Sequence, residues 1–207
     1  LKQYDEIRAI SDMAKFVYVR QKEQLGNGHA VLQAKEVIGD EPFVMVWGDE
    51  IFYATPPRIK QIIDVYNENG GAVMSTFLTE DPEAANRYAI IKGQSVSARV
   101  TRVDEVLEKP GPAAVAPYQA SVGGHVLPSS IFDILEKLPA GKNGEIWLVD
   151  AINQLAKQEA VFAYEIENGR YFDCGNKLEY LKANIHFALE REDIKDGLKE
   201  YMSDRIK

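Results

Sequence analysis

Cysteine is almost absent from this 207-residue sequence, in which Cys174 is the single thiol. One thiol excludes a disulfide within the chain and a zinc site built on several thiolates, and it is typical of a reducing cytoplasm, where we expect the protein to be located. The sequence also lacks the run of about eighteen apolar residues that a membrane-spanning helix needs. Its first ten residues, LKQYDEIRAI, do not have the pattern of a secretory signal.

Basic residues are in deficit, with 24 Lys and Arg against 32 Asp and Glu, so the net charge is −8. Such a surface repels a phosphate backbone, which argues against nucleic acid as a partner. Hydrophobic residues make up 45% of the chain and charged residues 27%. This balance predicts a folded chain with one sizeable core rather than a disordered segment.

The first half alternates between strand and helix patterns. The segments 16–19, 43–47 and 72–78 favour strands, and 28–38 and 57–69 favour helices. Segment 43–47 is apolar on both faces, which is typical of a central strand in a parallel sheet covered by helices on both sides. This order predicts an α/β fold with a largely parallel sheet.

The second half predicts strands with little helix between them, and then helices and a closing strand pair. A mixed sheet with an antiparallel edge fits this order, and Ser130 with Asp133 can cap the first of the helices. The predicted strands are 88–92, 96–108, 118–127, 161–166 and 169–172, the last two joined by a turn at 167–169; the predicted helices are 129–138, 144–158, one from about 176 and one to the terminus; and 111–117 is the most loop-like stretch.

Two acidic residues, Asp49 and Glu50, follow the apolar segment 43–47 through Gly48. Ligands of open α/β sheets bind at the carboxyl ends of the parallel strands, so a carboxylate here faces the predicted ligand crevice. It can cap the next helix, bind a hydroxyl or hold a hard cation. Asp173 is a second acid between a predicted strand and a predicted helix, and two such carboxylates that meet in space suit a Mg²⁺ that bridges phosphates.

Two other stretches carry weaker signals. Gly26 and Gly28 precede a predicted helix and permit close backbone approach to a base or a phosphate, but an ordinary tight turn explains them equally well. Glu108 and Lys109 precede a proline that favours extended backbone, and by composition alone they form a solvated strand end.

Taken together, six stretches resemble the bacterial and archaeal UTP–glucose-1-phosphate uridylyltransferases, a branch of the sugar-nucleotidyltransferase superfamily. They keep the order and spacing of that family across nearly the whole chain, and the two Gly-Asp steps, the EKP and the DCGNK are specific in combination. The stretches are VRQKEQLGNGHAVLQA (19–34), IGDEPFVMVWGDEI (38–51), EKP (108–110), VGGHVL (122–127), GEIWLVDAI (144–152) and DCGNKLEYLKAN (173–184).

The resemblance implies that an oxygen of glucose 1-phosphate attacks the α-phosphorus of UTP, so that UDP-glucose forms and pyrophosphate leaves. It implies a Mg²⁺ cofactor, and it assigns roles by position. Asp49 and Asp173 match the metal-binding residues, with Asp49 and Lys109 at the reacting phosphates; Gln21 matches the residue that reads the uracil edge and Gly26 the backbone beside the base; Glu108, Lys109, Gly123 and Ala89 match the sugar site.

The resemblance also implies the nucleotide-diphospho-sugar transferase fold, which is a Rossmann-like mixed, mainly parallel sheet flanked by helices. Residues 1–207 are then a single domain, with a nucleotide-binding part at 1–80 and a sugar-binding part with C-terminal helices at 81–207. A homodimer or homotetramer, no membrane and no nucleic acid are the partners expected besides UTP, glucose 1-phosphate and UDP-glucose.

The sequence departs from the family pattern at two points. Ala89 stands where the family usually has glycine after a tyrosine, and its methyl group fits without strain where φ is negative. The family's opening strand and glycine-rich loop with Arg, followed by a Pro-Lys segment, have no counterpart in the sequence. The chain is therefore expected to begin after the first strand–loop–helix unit, and by itself to turn over weakly or not at all.

Two alternative functions stay open at this point. A metal-dependent glycosyltransferase that uses a UDP-sugar also ends a strand in acids, but its usual Asp-x-Asp is replaced here by Gly-Asp-Glu. A non-catalytic homologue that only binds a nucleotide sugar is the other alternative.

Overall fold

A computed structural model describes residues 2–111 and 116–205, so most of the loop predicted at 111–117 lies outside the described residues. The described chain alternates helices and strands through most of its length. The helices are α1 Lys2–Asp12, α2 Asn27–Leu32, α3 Lys35–Ile38, α4 Arg58–Asn69, α5 Ala84–Arg87, α6 Ser130–Lys137, α7 Leu148–Leu155, α8 Lys177–Leu189 and α9 Lys195–Arg205, with a 3₁₀ turn at Lys142–Gly144. The strands are β1 Phe43–Met45, β2 Glu50–Ala54, β3 Ala72–Thr79, β4 Ala89–Ser95, β5 Val100–Leu107, β6 Tyr118–Leu127, β7 Val161–Glu165 and β8 Gly169–Asp173.

Six of these strands form one mixed sheet in the order β1-β6-β3-β7-β5-β4, with β4 also pairing with β6. β2 and β8 form a separate antiparallel ribbon, in which Glu50 pairs with Asp173. The main sheet joins strands from both the 1–80 and the 81–207 parts of the chain.

Helices cover both faces of the main sheet. Successive strand residues point to opposite faces, so Val73 of β3 packs with Ile62 and Val65 of α4, whereas Met74 packs with α6 and α7 on the other side. The result is an α/β/α arrangement in three layers, which confirms the predicted mixed sheet flanked by helices.

The expectation of a mainly parallel sheet is wrong for the described strands, among which β3 and β7 form the one parallel pair. Parallel neighbours need a crossover of a dozen or more residues, and the link from β4 to β5 is only the segment 96–99. The predicted central strand at 43–47 is the three-residue β1, which pairs antiparallel with β6 at the edge of the described sheet. Val44 and Val46 are accordingly 36% and 50% exposed.

Three local predictions also differ from the structure. The segment 16–19 is not a strand: Tyr18 is 91% exposed, and β-favouring residues form a strand only where a neighbour pairs with them. The turn at 167–169 does not close a hairpin, because β8 pairs with β2 while the Gln61 side chain holds Glu167 through both its N–H and its carbonyl. Ser130 does not cap α6, since its hydroxyl has no hydrogen-bond partner among the described residues.

β2 was not predicted from the sequence, and the helix predicted at 28–38 is divided into α2 and α3. The pairing of β2 with β8, which starts more than a hundred residues later, leaves no pattern in the local sequence. No helix in the described ranges combines the length and the apolar character needed to cross a membrane.

Ile62 tests the packing of α4 on the sheet. It is 0% exposed, so Ile62→Ala is expected to lower the free energy of unfolding by about 2–5 kcal/mol, from lost burial and the cavity left behind. Ile7→Ala is the matched control, because Ile7 is 68% exposed and its truncation should change stability by no more than about 0.5 kcal/mol. Urea unfolding of both variants checks this, and equal losses would contradict the packing described.

Candidate functional site

The site is organised around a glycine bulge in β6. Met74 of β3 pairs with His125 of β6, but Thr76 pairs with Ser121, so the segment 122–124 lies opposite a single β3 residue. Bulges next to functional sites redirect the strand, and here Gly124 adopts a φ of 96° that favours glycine. The carbonyl groups freed from the ladder are taken by side chains: the Arg58 guanidinium donates to Gly123 O and the Ser75 hydroxyl to Gly124 O.

Gly123 is a glycine because two side chains occupy the space beside its Cα. A Cβ at this position would come within 2.3 Å of Glu50 Oε2 and 2.4 Å of Trp47 Cδ1. The side chains that flank the Gly48 turn therefore pack directly on the bulge. This contact joins the end of the β1 segment to the middle of β6.

Glu50 is the buried carboxylate of the site. Its side chain is 11% exposed, Oε1 accepts a hydrogen bond of 3.0 Å from the Tyr171 hydroxyl, and Oε2 lies 3.8 Å from Nη1 of Arg58. Burial raises the pKa of Glu50, and the Tyr171 hydroxyl, the Gly123 backbone and Arg58 partly offset that rise. Burial also raises the pKa of Tyr171 and lowers that of Arg58. The three side chains thus connect β2, α4 and β8 beneath the cleft.

Asp49 and Asp173 converge, as the resemblance to the family implied. A Cβ at Gly175 would meet Asp49 Oδ2 at 3.1 Å and Asp173 Oδ1 at 3.2 Å, so both carboxylates lie against the same glycine. The backbone supports the arrangement, since Cys174 N donates to Asp49 O at 2.8 Å. Asn176 then starts α8 by accepting from Leu178 N and Glu179 N.

The donor set fits a cation that is completed by a ligand. The described residues contain no cluster of three or more His, Cys, Asp or Glu side chains able to enclose a metal. Zn²⁺ in structural sites takes four protein ligands and Ca²⁺ takes six to eight oxygens, whereas Mg²⁺ is commonly held by one or two carboxylates plus substrate phosphates. Asp49 and Asp173 match the last of these.

The predicted sugar residues line a cavity of about 210 Å³ beside the bulge. Glu108 and Lys109 enter it directly after β5, and their charged atoms lie 3.8 Å apart. Burial raises the pKa of Glu108, and the neighbouring Lys109 opposes that rise. Lys109 has a φ of 44°, a strained conformation for a residue with a side chain. Asn153 of α7 fixes the preceding β5 backbone by bonding both the N–H and the carbonyl of Val106.

Ala89 and Gly123 also line this cavity. Ala89 is in β4, paired with Ser121, and is not among the described residues of positive φ. Its methyl group therefore fits an extended strand without strain, although the family usually has glycine at this position.

A second cavity of about 340 Å³ contains Asp49 and Asp173 and adjoins the first. The two cavities form one cleft, because several residues line both. These shared residues are Asn27, Trp47, Glu50, Arg87 and Tyr88.

Gln21 and Gly26 form a unit at one side of the cleft but do not line either cavity. Gln21 Nε2 donates to Gly26 O at 3.0 Å and also contacts the His29 ring. Gly26 and Gly28 pack on the 146–148 backbone, where a Cβ at Gly26 would be 2.6 Å from Ile146 O. Asn27, between the two glycines, lines both cavities.

Three residues near the site occupy supporting positions. The His29 ring is held at the start of α2 by the Gln21 side chain. Burial and the charges of Asp173 and Asp49 raise the pKa of the Cys174 thiol, so it is not an activated thiolate. Glu145 accepts a 2.9 Å hydrogen bond from Trp147 Nε1.

Sequence patterns did not identify Arg58, Tyr171 or Trp47 as site residues. Tyr171 had a usable signal, because it lies two residues before Asp173 in a strand and therefore on the same face. Arg58 had no such signal in the sequence, because Gly123, whose carbonyl it binds, is 65 residues away. Trp47 packs partly against the core, so its sequence context does not distinguish it from an ordinary core residue.

Removing the Glu50 carboxylate tests the buried ion pair. Glu50→Leu is expected to reduce the free energy of unfolding by about 3–5 kcal/mol, because it leaves Arg58 charged and buried without its partner. Glu50→Gln should cost about 1–3 kcal/mol, since the amide oxygen can still accept from Tyr171. Glu41→Leu, at an exposed position, is the control in urea unfolding. A Glu50→Leu variant as stable as this control would disprove the role of the pair.

His125 gives the fold a pH dependence. It is 4% exposed, and burial together with the Arg58 charge lowers its pKa from 6.5 to about 4. A lowered pKa means that the folded state favours the neutral ring, so stability is complete above about pH 6.5 and falls as the pH drops toward 4.

The expected contribution of His125 to this loss is about 3 kcal/mol. Urea unfolding at about pH 7 and pH 4.5 should show a steeper loss for the natural protein than for His125→Gln, which cannot take up the proton. Equal losses in the two proteins would contradict the assignment.

Comparison with known proteins identifies the family of this chain. A family model described as nucleotidyl transferase matches residues 2–190. A curated UTP–glucose-1-phosphate uridylyltransferase, YngB of Bacillus subtilis (strain 168), is 38% identical over 202 residues, which are 98% of this chain and 67% of that protein.

Two solved structures superpose closely on the chain. One is a UDP-glucose pyrophosphorylase complexed with UDP-glucose, at a TM-score of 0.84 and 30% identity, covering 92% of this chain and 72% of that one. The other is a UTP-bound UGPase from Acinetobacter baumannii, at a TM-score of 0.82 and 31% identity, covering 97% and 71%. The predicted nucleotidyltransferase fold is thereby confirmed. On these matches the chain belongs to the nucleotidyl transferase family, within its branch of UTP–glucose-1-phosphate uridylyltransferases.

Proposed function

We propose that this protein transfers a uridylyl group from UTP to glucose 1-phosphate, with Mg²⁺ as cofactor. A phosphate oxygen of glucose 1-phosphate attacks the α-phosphorus of UTP, the bond from that phosphorus to the bridging oxygen of the β-phosphate breaks, and pyrophosphate leaves as UDP-glucose forms. The observation that carries the proposal is the meeting of Asp49 and Asp173 at Gly175, beside the cavity that Glu108 and Lys109 enter.

The reaction brings two anions together, so positioning and charge neutralisation account for most of the catalysis. Asp49 and Asp173 would hold the Mg²⁺, which when bound supplies positive charge to the phosphates. Lys109 supplies a second positive charge at the sugar phosphate. The carboxyl of Glu108 is partly buried, which raises its pKa, and it accepts hydrogen bonds from hydroxyls of the sugar. Ala89 and Gly123 form the wall beside it.

The nucleotide is assigned to the other side of the cleft. The Gln21 side chain is held against the Gly26 carbonyl, and it reads the uracil edge from there, with the Gly26 backbone beside the base. This assignment divides the domain into a nucleotide part at 1–80 and a sugar part at 81–207. A homodimer or homotetramer is part of the same proposal, as is the absence of nucleic-acid and membrane partners.

The named relatives favour this function over the two alternatives. YngB carries the uridylyltransferase name, and the superposed structures are described with UDP-glucose and with UTP. Release of pyrophosphate from UTP and glucose 1-phosphate separates the proposal from a glycosyltransferase, which consumes a UDP-sugar. Binding of UDP-glucose without any pyrophosphate release would identify a non-catalytic homologue.

Replacement of the two aspartates tests the metal site. Asp49→Asn and Asp173→Asn in the full-length protein are each expected to lower Mg²⁺-dependent kcat by about 10²-fold or more, because a neutral amide binds the cation far less well. Asp64→Asn, which removes a surface carboxylate paired with Lys60, is the matched control and should leave kcat within about twofold.

Pyrophosphate release measured across a Mg²⁺ titration checks this prediction, with circular dichroism to confirm folding. Near-normal rates in folded Asp49→Asn or Asp173→Asn would disprove the metal assignment.

A further inference from the structure

Trp47 occupies the boundary between the two cavities of the cleft. It lines the cavity of Glu108 and Lys109 and also the cavity of Asp49 and Asp173. Part of its side chain packs against the core cluster that contains Met45 and Leu127, and the rest is open to the cleft. The ring is therefore a wall of the site and not only a core residue.

The ring is supported from behind by the bulge in β6. Its Cδ1 atom would lie 2.4 Å from a Cβ at Gly123, and Glu50 Oε2 fills the remaining space beside the same glycine. Glu50 is in turn held by the Tyr171 hydroxyl. Because the ring packs on Gly123, which lines the same cavity, the position of the ring limits this small cavity of about 210 Å³.

The Trp47 indole N–H has no hydrogen-bond partner among the described residues, although it is not enclosed by them. Trp147 differs, since its indole N–H donates to Glu145 at 2.9 Å. Trp47 thus presents an apolar ring to the cleft and keeps a free N–H donor at the ring edge next to Gly123, and aromatic side chains with a few polar groups are typical of small-molecule sites.

We infer that Trp47 determines which hexose 1-phosphate the protein accepts. The apolar C–H groups of a pyranose pack on the ring, the free N–H can donate to one sugar hydroxyl, and the bulk of the indole excludes larger substituents such as a 2-acetamido group. The inference rests on the proposed function, since it names a determinant of sugar choice at that site.

The sugar is favoured over the base as the contacting group. Trp47 shares its cavity with Ala89, Glu108 and Lys109, whereas Gln21 and Gly26 line neither cavity. A change at Trp47 should therefore alter the kinetics of the sugar phosphate while the kinetics of UTP stay nearly constant.

Kinetic comparison of glucose 1-phosphate with N-acetylglucosamine 1-phosphate tests the inference in the full-length protein. Trp47→Leu is expected to lower the ratio of kcat/KM for glucose over N-acetylglucosamine at least about tenfold, with KM for UTP within about twofold. Trp47→Phe keeps a ring but loses the N–H, so its kcat/KM ratio should lie between those of the natural protein and Trp47→Leu. Trp147→Leu is the control for losing an indole elsewhere, and its sugar ratio should match that of the natural protein.

A binding measurement covers the case in which Trp47→Leu does not fold. The sequence has two tryptophans, so Trp147→Phe leaves Trp47 as the single indole fluorophore. Its emission is expected to change on addition of glucose 1-phosphate, and to change much less with UTP.

Each outcome decides a different claim. The inference would be overturned if folded Trp47→Leu kept the kcat/KM ratio of the natural protein for the two sugar phosphates. It would also be overturned if Trp47 emission did not change on addition of glucose 1-phosphate. Absence of pyrophosphate release from the natural protein with every sugar phosphate would instead overturn the proposed function, and the fluorescence response would still show whether Trp47 contacts a sugar phosphate.

Discussion

The buried contact of Glu50 with Arg58, Tyr171 and Gly123 is the interaction on which the site depends. Taking a carboxylate and a guanidinium out of water costs free energy. The attraction between the two charges repays that cost only where they lie close together and make further hydrogen bonds. Here those partners come from β2, α4, β8 and β6. The need to satisfy these groups together fixes where the β2–β8 ribbon lies against the main sheet, and so holds Asp49 and Asp173 at Gly175, in the cavity that adjoins the one beside the bulge.

The cleft has two carboxylates at one end and a Lys–Glu pair at the other. Asp49 and Asp173 stand against Gly175, while Lys109 faces the adjoining cavity with Glu108. The overall charge of −8 repels anionic substrates at long range, so local positive charge has to offset that repulsion within the site. In the proposed reaction Lys109 and the cation held by the two aspartates supply it.

Much of the fold was predictable because its patterns are local. The periodicity of α4, the apolar run of β3 and the turn residues around β8 each depend on a few neighbouring residues, and the strand–helix alternation indicated the α/β class. The direction of strand pairing was not predictable in the same way. Whether β6 lies beside β1, β3 or β4 depends on which edges meet in space, and the short link between β4 and β5 makes antiparallel pairing the accessible arrangement.

The sequence by itself determined the acids, glycines and EKP step of the site and, through their resemblance to a known family, the candidate roles of Asp49, Asp173, Glu108 and Lys109. It also placed two glycines at 123 and 124 without indicating why. Only the tertiary structure decided that Gly123 leaves room for Trp47 and Glu50, that Arg58 faces a carboxylate beneath the cleft, and that Trp47 is a wall of the cavity that Glu108 and Lys109 line. These features arise from contacts between distant segments, and close packing of such segments imposes constraints that no local pattern in the chain carries.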